Sequence, residues 1–262
     1  EKYQGDKKIL YRSNLELRTA LRILVPVTRF KCKNEKTFYQ GVQRLYWDKY
    51  LDPDMTIAVD SVVSSPFFKH SKYMALKTKD AIVDQLRDRT GKRPSVDVDS
   101  ADVRINTHIL DNKCTISLDS SGWSLHKRGY RIASVTAPII ETLAAGLILL
   151  SEWNSKDHFI DPMCGSGTFL IEAAKIASNQ TPHFHNATFG FMKWKDYDTG
   201  IWKEVIREAK ERETPLTTKI SGFDANPKVL NAARYNIAEA GFTGKIELEK
   251  ADLFHNKNFH KG

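Results

Sequence analysis

The sequence has little cysteine and no long apolar run. Its three cysteines, Cys32, Cys114 and Cys164, lie far apart and form no CxxC pair, which excludes a disulfide framework and gives no sign of a zinc site. The most apolar stretch, residues 138–150, contains Glu141 and is much shorter than the roughly 20 residues that a helix needs to cross a bilayer. We therefore expect a cytoplasmic protein without membrane association and without a bound metal.

Two other signals are absent: a signal peptide and a cluster of metal ligands. The sequence starts with Glu1 rather than with methionine, so we expect residues to be missing before it. His183 and His185 lie close together, but no cysteine or carboxylate stands near them at ligand spacing. This pattern favours a role in a loop over metal binding.

Acidic residues are outnumbered by basic ones in only one half of the chain. The formal net charge is +8; residues 1–140 hold 25 Lys and Arg against 16 Asp and Glu, whereas residues 141–262 hold 15 against 16. A basic surplus attracts a polyanion such as nucleic acid or an anionic membrane surface, although a plainly solvated surface explains it equally well. The length and the hydrophobic content of 41% predict two folded domains.

The hydrophobic pattern changes near residues 131–137, where we place the boundary between these domains. Before it, apolar spacing predicts a small α+β unit. Beyond it, an apolar helix over residues 138–153 is followed by short apolar runs that alternate with helices, as in a parallel, doubly wound sheet. The elements predicted in the first half are a helix and a strand within 8–29, helices around 38–46 and 74–86, the latter ending at Gly91, and strands over 55–63, 102–110 and 113–119.

The strongest pattern is a short strand, a glycine turn and a helix over residues 158–174. Gly165 and Gly167 allow the backbone to turn tightly and to approach a ligand, and N–H groups at the start of the helix can bind the polar groups of that ligand. A GxG pair alone is weak evidence, but Asp161 stands at the strand end just before it.

Two more predicted strands lead to aspartates. Residues 219–223 precede Asp224, after which Pro227 opens a helix, and residues 245–250 precede Asp252. One carboxylate at such a position can accept hydrogen bonds from both hydroxyls of a ribose, and another from the amino group of an adenine. Each aspartate alone is more often a helix cap or a turn residue, but three at the ends of parallel strands predict one ligand crevice.

These motifs resemble those of a known family. Residues 161–168, 222–227 and 251–253 closely resemble the first three motifs of class I methyltransferases. More narrowly, they resemble a bacterial group that carries a THUMP domain, methylates guanine N2 in large-subunit ribosomal RNA and is often labelled as adenine-specific DNA methylases. Residues 119–131 resemble the end of that THUMP domain and residues 137–145 the helix beside the cofactor pocket, so the resemblance covers nearly the whole chain.

The resemblance implies a fold and a set of domain bounds. We expect an α/β protein in which an N-terminal α+β THUMP-type RNA-binding region precedes the first half of a Rossmann-like class I methyltransferase domain. Residues 1–29 would be a remnant of an N-terminal ferredoxin-like region, and residues 30–132 the THUMP domain. Residues 133–262 would be a methyltransferase domain that is truncated at its C-terminus.

The cofactor implied by the resemblance is S-adenosylmethionine. Asp161, Gly165 and Gly167 would shape the pocket for its methionine part, with Cys164 as a packed turn residue and not a nucleophile. Asp224 would hold the ribose, and Asp252 with Leu253 would meet the adenine. The full set of expected cofactor-binding residues is Asp161, Pro162, Cys164, Gly165, Ser166, Gly167, Thr168, Asp224, Ala225, Asp252 and Leu253.

Two basic clusters are predicted RNA contacts, mainly because of the resemblance. The first, at residues 127–131, combines cations that can bind phosphates with a ring that can stack on a base; the alternative is a solvated linker. The second, at residues 69–79, is equally well explained as plain surface. The side chains predicted to contact RNA are Lys127, Arg128, Tyr130, Arg131, Lys69 and Lys72.

The predicted reaction is methyl transfer to an exocyclic amino group of a nucleic-acid base, most specifically guanine N2 of 23S ribosomal RNA. Members of the family place an Asn-Pro-Pro-Tyr-type motif after the next strand to orient that amino group. The sequence holds no such motif, because Asn226-Pro227 is followed by Lys228. We therefore assign no catalytic residue and expect this chain alone to be inactive.

Three other functions compete with this prediction. A DNA adenine-N6 methyltransferase shares the cofactor chemistry, and a non-catalytic RNA-binding protein could keep a vestigial cofactor fold. A nicotinamide dehydrogenase is disfavoured, since its acidic residue follows the glycine motif by roughly 20 positions and Asp224 lies far beyond Gly167. The aromatic-rich residues 181–202 are expected to pack on the sheet or to flank the entrance for the target base.

Overall fold

Two separate sheets, of five and three strands, organise the chain. The computed structural model describes residues 2–133, 138–184 and 186–253. The five-stranded unit comprises Arg22–Ser124 and Thr188–Thr199. The three-stranded unit comprises Glu1–Leu21, Leu125–Ala187 and Gly200–Gly262.

The elements follow one another along the chain much as the hydrophobic pattern predicted. Among the described residues, no helix is both long and apolar enough to span a bilayer. In chain order the elements are α1 (Lys7–Glu16), β1 (Leu24–Lys31), α2 (Glu35–Gln43), β2 (Thr56–Ser64), α3 (Ser71–Thr90), β3 (Ser95–Val96), β4 (Val103–Leu110), β5 (Lys113–Asp119), α4 (Glu141–Leu150), β6 (Phe159–Asp161), α5 (Thr168–Ala177), α6 (Thr199–Glu211), β7 (Ile220–Asp224), α7 (Pro227–Glu239) and β8 (Glu247–Lys250).

The five-stranded sheet is mixed, with the order β1-β5-β4-β2-β3. β5 is antiparallel to β1 and β4, whereas β2 is parallel to β3 and β4. Helices α2 and α3 pack on it and bury Phe38, Ile82 and Ile105 in an apolar core. As predicted, α3 ends at Gly91, whose φ of 73° closes a helix without the clash that a Cβ would cause.

The three-stranded sheet is parallel throughout, in the order β6-β7-β8, which confirms the predicted parallel arrangement. Parallel neighbours need a helical crossover, and α5 and α7 lie in these connections. Leu170 of α5 and Ile237 of α7 are buried in the core of this unit. The core comes so close to β7 that a Cβ added to Gly222 would stand 2.3 Å from Cδ1 of Leu170.

In the structure, the first 29 residues are divided between the two units and do not form the separate region that was predicted for them. β1 pairs with β5 through residue 31, so a boundary after residue 29 would cut a strand of the five-stranded sheet. Helix α1 belongs instead to the three-stranded unit, where Lys8 donates to Glu208 at 2.7 Å and Tyr11 packs edge to face against Trp202. These partners are too distant along the chain to leave a local signal in the sequence.

The aromatic-rich stretch 181–202 is divided between the two units. Residues 188–199 pack in the five-stranded unit, where the Phe191 N–H donates to the Ser120 carbonyl oxygen at 2.9 Å and Trp194 packs against the apolar core. Trp202 lies in α6, a helix that the sequence analysis missed. That helix buries Val205 and Ala209 and half-buries Ile206, so its apolar residues recur at helical spacing on one face.

Candidate functional site

Three aspartates lie along one edge of the three-stranded sheet. β6 ends at Asp161 and β7 at Asp224, and Asp252 follows shortly after β8. The strands are parallel, and Asp161 is paired with Gly222 and Asp224 with Lys250. All three aspartates are therefore at the carboxyl edge, which is where α/β sheets bind ligands.

The loop between β6 and α5 is residues 161–168, and we call it the glycine loop. The Gly165 N–H donates to Oδ2 of Asp224 at 3.2 Å, which ties the loop to the end of β7. Gly165 and Gly167 have φ values of 54° and 83°, a left-handed backbone that favours glycine. Gly167 caps α5, so the loop leads directly into a helix N-terminus.

Asp224 is half-buried and uses both carboxylate oxygens to order the backbone around it. Oδ2 accepts the Gly165 N–H, and Oδ1 accepts the Asn226 N–H at 2.8 Å. An ionised carboxylate has about four lone-pair sites, so two acceptor positions are left for a ligand. Ala225, directly beside it, is exposed. This arrangement fits a ligand with two neighbouring hydroxyl groups, such as a ribose.

The electrostatics of this edge favour a ligand that carries positive charge. Burial raises the pKa of Asp161, the Met163 N–H lowers it, and the negative charge of Asp224 raises it. Two carboxylates that repel each other are both stabilised in their ionised form when a cation binds between or beside them. Burial also raises the pKa of the Cys164 thiol to about 12, which supports a packed and protonated side chain over a nucleophile.

The remaining residues that are expected to bind the cofactor differ in how far their side chains are exposed. Cys164, Ser166 and Thr168 are buried, with exposures of 5%, 4% and 4%, so a ligand would meet their backbone and not their side chains. Pro162 and Leu253 are half-buried, whereas Asp252 is exposed. The structure thus gathers all of these residues at one sheet edge and leaves their contact with a ligand as a prediction.

Two of the predicted RNA contacts are wrong, because their side chains are buried. Tyr130 exposes 1% of its surface and Arg128 exposes 2%. The Tyr130 hydroxyl donates to Oε1 of Glu172 at 2.9 Å, and Nε of Arg128 lies 3.6 Å from the same oxygen. Burial raises the pKa of Glu172 while Arg128 lowers it. A cation and a ring that suggested RNA binding therefore stabilise a buried carboxylate.

Arg131 is also engaged within the protein. Its Nε donates to Glu141 at 2.9 Å, and its Nη2 donates to the Ile139 carbonyl oxygen at 2.7 Å and to the Thr168 hydroxyl at 3.0 Å. The predicted phosphate contact is thus replaced by a contact with the first residue of α5. Sequence analysis missed this role, because the partners are spread over residues 139–168.

The other basic residues that were predicted to contact RNA lie on the surface. Lys69, Lys72 and Lys127 are exposed. Lys69 lines a surface cavity of about 350 Å³, which the exposed rings of Phe67 and Tyr73 also line. Cations beside exposed rings suit phosphates and unpaired bases, so RNA contact at these lysines stays a prediction.

Among the residues that the structure describes, no group of three or more His, Cys, Asp or Glu side chains could hold a metal ion, and His183 contacts Arg128. Nη1 of Arg128 lies 3.2 Å from Nε2 of His183, which therefore accepts a hydrogen bond. Burial, Arg128 and Lys175 lower the pKa of His183 to about 3, so its ring is neutral. His185 lies outside the described residues.

Sequence analysis also missed Asn236, which contacts the glycine loop. Its Nδ2 donates to the Ser166 carbonyl oxygen at 3.0 Å. A signal was available: Asn236 stands next to Ile237 on the face of α7 that also buries Leu230 and Ala233. A polar residue on an apolar helix face requires hydrogen-bond partners inside the protein.

Two family models match the chain. Residues 32–119 match the THUMP domain, and residues 128–259 match the model described as RMKL-like, methyltransferase domain. A glycine loop at the carboxyl edge of a parallel sheet, together with this match, defines a Rossmann-like methyltransferase fold. The chain belongs to the RMKL-like methyltransferase family and also carries a THUMP domain.

Individual relatives agree with this assignment. The chain is 40% identical to slr0064 of Synechocystis sp. (strain ATCC 27184 / PCC 6803 / Kazusa), a candidate RNA methyltransferase, over 95% of this chain and 65% of that protein. It is 38% identical to the ribosomal RNA large subunit methyltransferase K/L of Desulfotalea psychrophila, over 97% of this chain and 36% of that protein. The chain thus spans just under two thirds of the first relative and about one third of the second.

A solved structure matches both units. The crystal structure of SMU.472, a candidate methyltransferase in complex with SAH, has a TM-score of 0.84 and 34% sequence identity. The match covers 97% of this chain and 67% of that chain.

Proposed function

We propose that the protein transfers a methyl group from S-adenosylmethionine to an exocyclic amino group of an RNA base, most specifically N2 of a guanine in 23S ribosomal RNA. The family match supports this, as do a relative named as a ribosomal RNA methyltransferase and a structural neighbour in complex with SAH, which S-adenosylmethionine becomes when it loses its methyl group. The observation that carries the proposal is the Asp224 carboxylate, which is held against the glycine loop by the Gly165 N–H.

The residues at the sheet edge fit this cofactor part by part. Asp224 has free acceptor positions for the two ribose hydroxyls, and Asp252 with Leu253 would meet the adenine. The glycine loop brings backbone close to the methionine part, and the pair of Asp161 and Asp224 favours its positive charge. When bound, the cofactor supplies a methyl group that its sulfonium charge makes electrophilic.

The protein's part in such a reaction is positioning. An exocyclic amine attacks a methyl group when its lone pair points along the carbon–sulfur bond, so holding both groups in line accounts for much of the rate. The chain would contribute one side of this arrangement by fixing the cofactor at the sheet edge. Residues that orient the target amino group are not assigned to this chain.

RNA would be bound by the exposed lysines. We assign phosphate contacts to Lys69, Lys72 and Lys127, and base stacking to the rings of Phe67 and Tyr73 beside Lys69. The THUMP match to residues 32–119 supports RNA binding by the five-stranded unit. Ultraviolet crosslinks from bound RNA that map away from residues 67–74 and Lys127 would contradict this assignment.

Calorimetry with SAH tests the cofactor site. We expect Asp224→Asn to weaken SAH binding at least about tenfold, because hydrogen bonds to a charged acceptor contribute about 1.5–3 kcal/mol. Glu239→Gln, the same change at an exposed position on α7, should leave the affinity unchanged. A chain that takes up no SAH, or an Asp224→Asn variant that binds as well as the unchanged protein, excludes this cofactor site.

The substrate is tested in cells that lack the gene. Mass mapping of their ribosomal RNA should show the loss of one methyl group from a guanine of the 23S molecule, and expression of the full-length gene should restore it. Unchanged ribosomal RNA together with lost adenine methylation in DNA would instead assign the protein to DNA.

A further inference from the structure

The side chain of Asn236 uses every hydrogen-bonding position that it has. Oδ1 accepts the N–H groups of Ile132 and Ala133 at 3.0 and 2.9 Å. Nδ2 donates to the carbonyl oxygens of Ala133 and Ser166 at 2.9 and 3.0 Å. Because Asn236 exposes only 1% of its surface, water does not compete for these bonds. One buried amide therefore joins α7, the segment 131–133 and the glycine loop.

Asn236 contacts the glycine loop at Ser166, where the backbone on either side has the greatest conformational freedom. Ser166 lies between Gly165 and Gly167, which have no Cβ and both adopt positive φ. A peptide group is planar, so holding the Ser166 carbonyl oxygen also sets the direction of the Gly167 N–H, which donates to the Cys164 carbonyl oxygen at 2.9 Å. Together with that bond, Asn236 thus restrains the Ser166–Gly167 peptide plane, whose rotation about φ of Gly167 is not hindered by a Cβ.

The segment 131–133 supplies a second tie to the same loop. Its Arg131 donates to the Thr168 hydroxyl at 3.0 Å, while Ile132 and Ala133 are bonded to Asn236. Asn236 at Ser166 and Arg131 at Thr168 thus hold the glycine loop in addition to the bond from Gly165 to Asp224.

Helix α7 reaches the loop at close range as well. A Cβ added to Gly167 would lie 3.4 Å from Cβ of Ala233, so helix and loop leave room for little more than a methyl group between them. Ala233 lies one turn before Asn236, and the two residues bring the same face of α7 against the loop. The hydrogen bond from the Asn236 amide and the close approach of Ala233 thus fall on two consecutive residues of the loop, Ser166 and Gly167.

We infer that Asn236 is a positioning residue, whose amide holds the glycine loop in the shape that the methionine part of the cofactor requires. The cofactor is that of the proposed function, on which this inference rests. The residue does not touch the reacting atoms; it acts through the Ser166–Gly167 peptide. A purely structural residue would change the stability of the unit and leave the affinity of the folded protein for its ligand unchanged.

The substitution Asn236→Asp tests this role with little change of shape. It keeps the oxygen that accepts from Ile132 and Ala133, but it replaces the Nδ2 donor with an oxygen that repels the Ser166 carbonyl. Asn231→Asp is the matched control, since Asn231 is exposed on the same helix. We expect SAH affinity by calorimetry to fall at least about tenfold in Asn236→Asp, as for two lost hydrogen bonds, and to stay within about twofold in Asn231→Asp.

A stability control separates positioning from folding. Ile246→Val removes one methyl group from the core of the same unit, away from the loop, and should lower the melting temperature without weakening SAH binding. Equal losses of SAH affinity in Asn236→Asp and Ile246→Val at matched stability would overturn the inference, because both would then reflect folding alone.

Hydrogen exchange tests the loop without any ligand. The N–H groups of Cys164 and Gly167 are hydrogen-bonded, and they should exchange faster in Asn236→Asp than in the unchanged protein or in Asn231→Asp. If the unchanged protein binds no SAH, the proposed function fails and this measurement still decides whether Asn236 holds the loop. Unaltered exchange at both positions would show that it does not.

Discussion

The two units of this protein differ in how many charged side chains they bury. The five-stranded unit encloses an apolar core in which the hydroxyls of Thr78 and Thr107 lie 3.0 Å apart, and its buried charge is Asp119, which pairs with Arg22. The three-stranded unit buries Glu172, Lys175 and Asn236 among its apolar residues. Buried polar networks define one arrangement when all partners are present and become costly when one is removed. The unit with the candidate cofactor site should therefore be the more sensitive to single polar substitutions.

The largest effect is expected from Glu172→Ala. Removing this carboxylate leaves the buried Arg128 without its ion partner and the Tyr130 hydroxyl without its acceptor, so the free energy of unfolding of the three-stranded unit should fall by about 3–5 kcal/mol. Urea unfolding, monitored by hydrogen exchange of the backbone N–H groups of α5, measures this loss. Glu239→Ala, on the surface of α7, is the control. If Glu172→Ala lowered the free energy of unfolding as little as this control does, the three-stranded unit would not be the more sensitive one.

A smaller and pH-dependent effect is expected at Lys175. Burial lowers its pKa to about 8, Glu172 raises it, and Arg18 and Arg128 lower it. Between pH 8 and the ordinary lysine pKa, the unfolded chain keeps a proton that the folded protein has released, so stability relative to Lys175→Met should rise with pH by at most about 3 kcal/mol. Below pH 8 both states are protonated and the difference should be constant.

Comparing the urea midpoints of the two proteins from pH 7 to pH 10.5 checks this expectation. Cysteine and tyrosine side chains are the same in both proteins, so their contribution to the pH dependence of stability cancels in the difference. A difference that stays flat over the whole range would mean that the ammonium group is not buried in the way the structure places it.

The smallest effect is expected in the five-stranded unit. Replacing both Thr78 and Thr107 with valine removes a buried hydroxyl pair together, so the free energy of unfolding should change by about 0.5 kcal/mol or less. Thr78→Val alone leaves the Thr107 hydroxyl without its partner and should cost about 1 kcal/mol or more. Urea unfolding of the two variants measures both changes, and a double variant that loses as much stability as Glu172→Ala would make the two units equally sensitive.

Elements with local signals were predictable from the sequence. α3 ends at Gly91 because a left-handed residue is needed there, and the glycine loop follows β6 because strand, glycines and helix are adjacent along the chain. The alignment of Asp161 and Asp224 followed from the parallel sheet, since strand ends that share an edge bring distant residues together. In each case the information lies within a few residues or in one rule of topology.

Features that depend on distant partners were not predictable. Arg128 and Tyr130 look the same in the sequence whether they face RNA or a buried Glu172, and only the fold brings that carboxylate to them. The hydrogen bonds of Asn236 to residues 132, 133 and 166 span 70 to 104 positions, so the sequence does not show which partners its amide has. The site residues with the clearest motifs were found, whereas those that support them were not.

The packing of α1 has a consequence for the order in which the protein folds during synthesis. Lys8 and its partner Glu208 are 200 residues apart, so α1 leaves the ribosome roughly 10–40 s before α6 at about 5–20 residues per second. All of Arg22–Ser124 is synthesised in that interval. Helix α1 must therefore wait, without the contact between Tyr11 and Trp202, until α6 has been made.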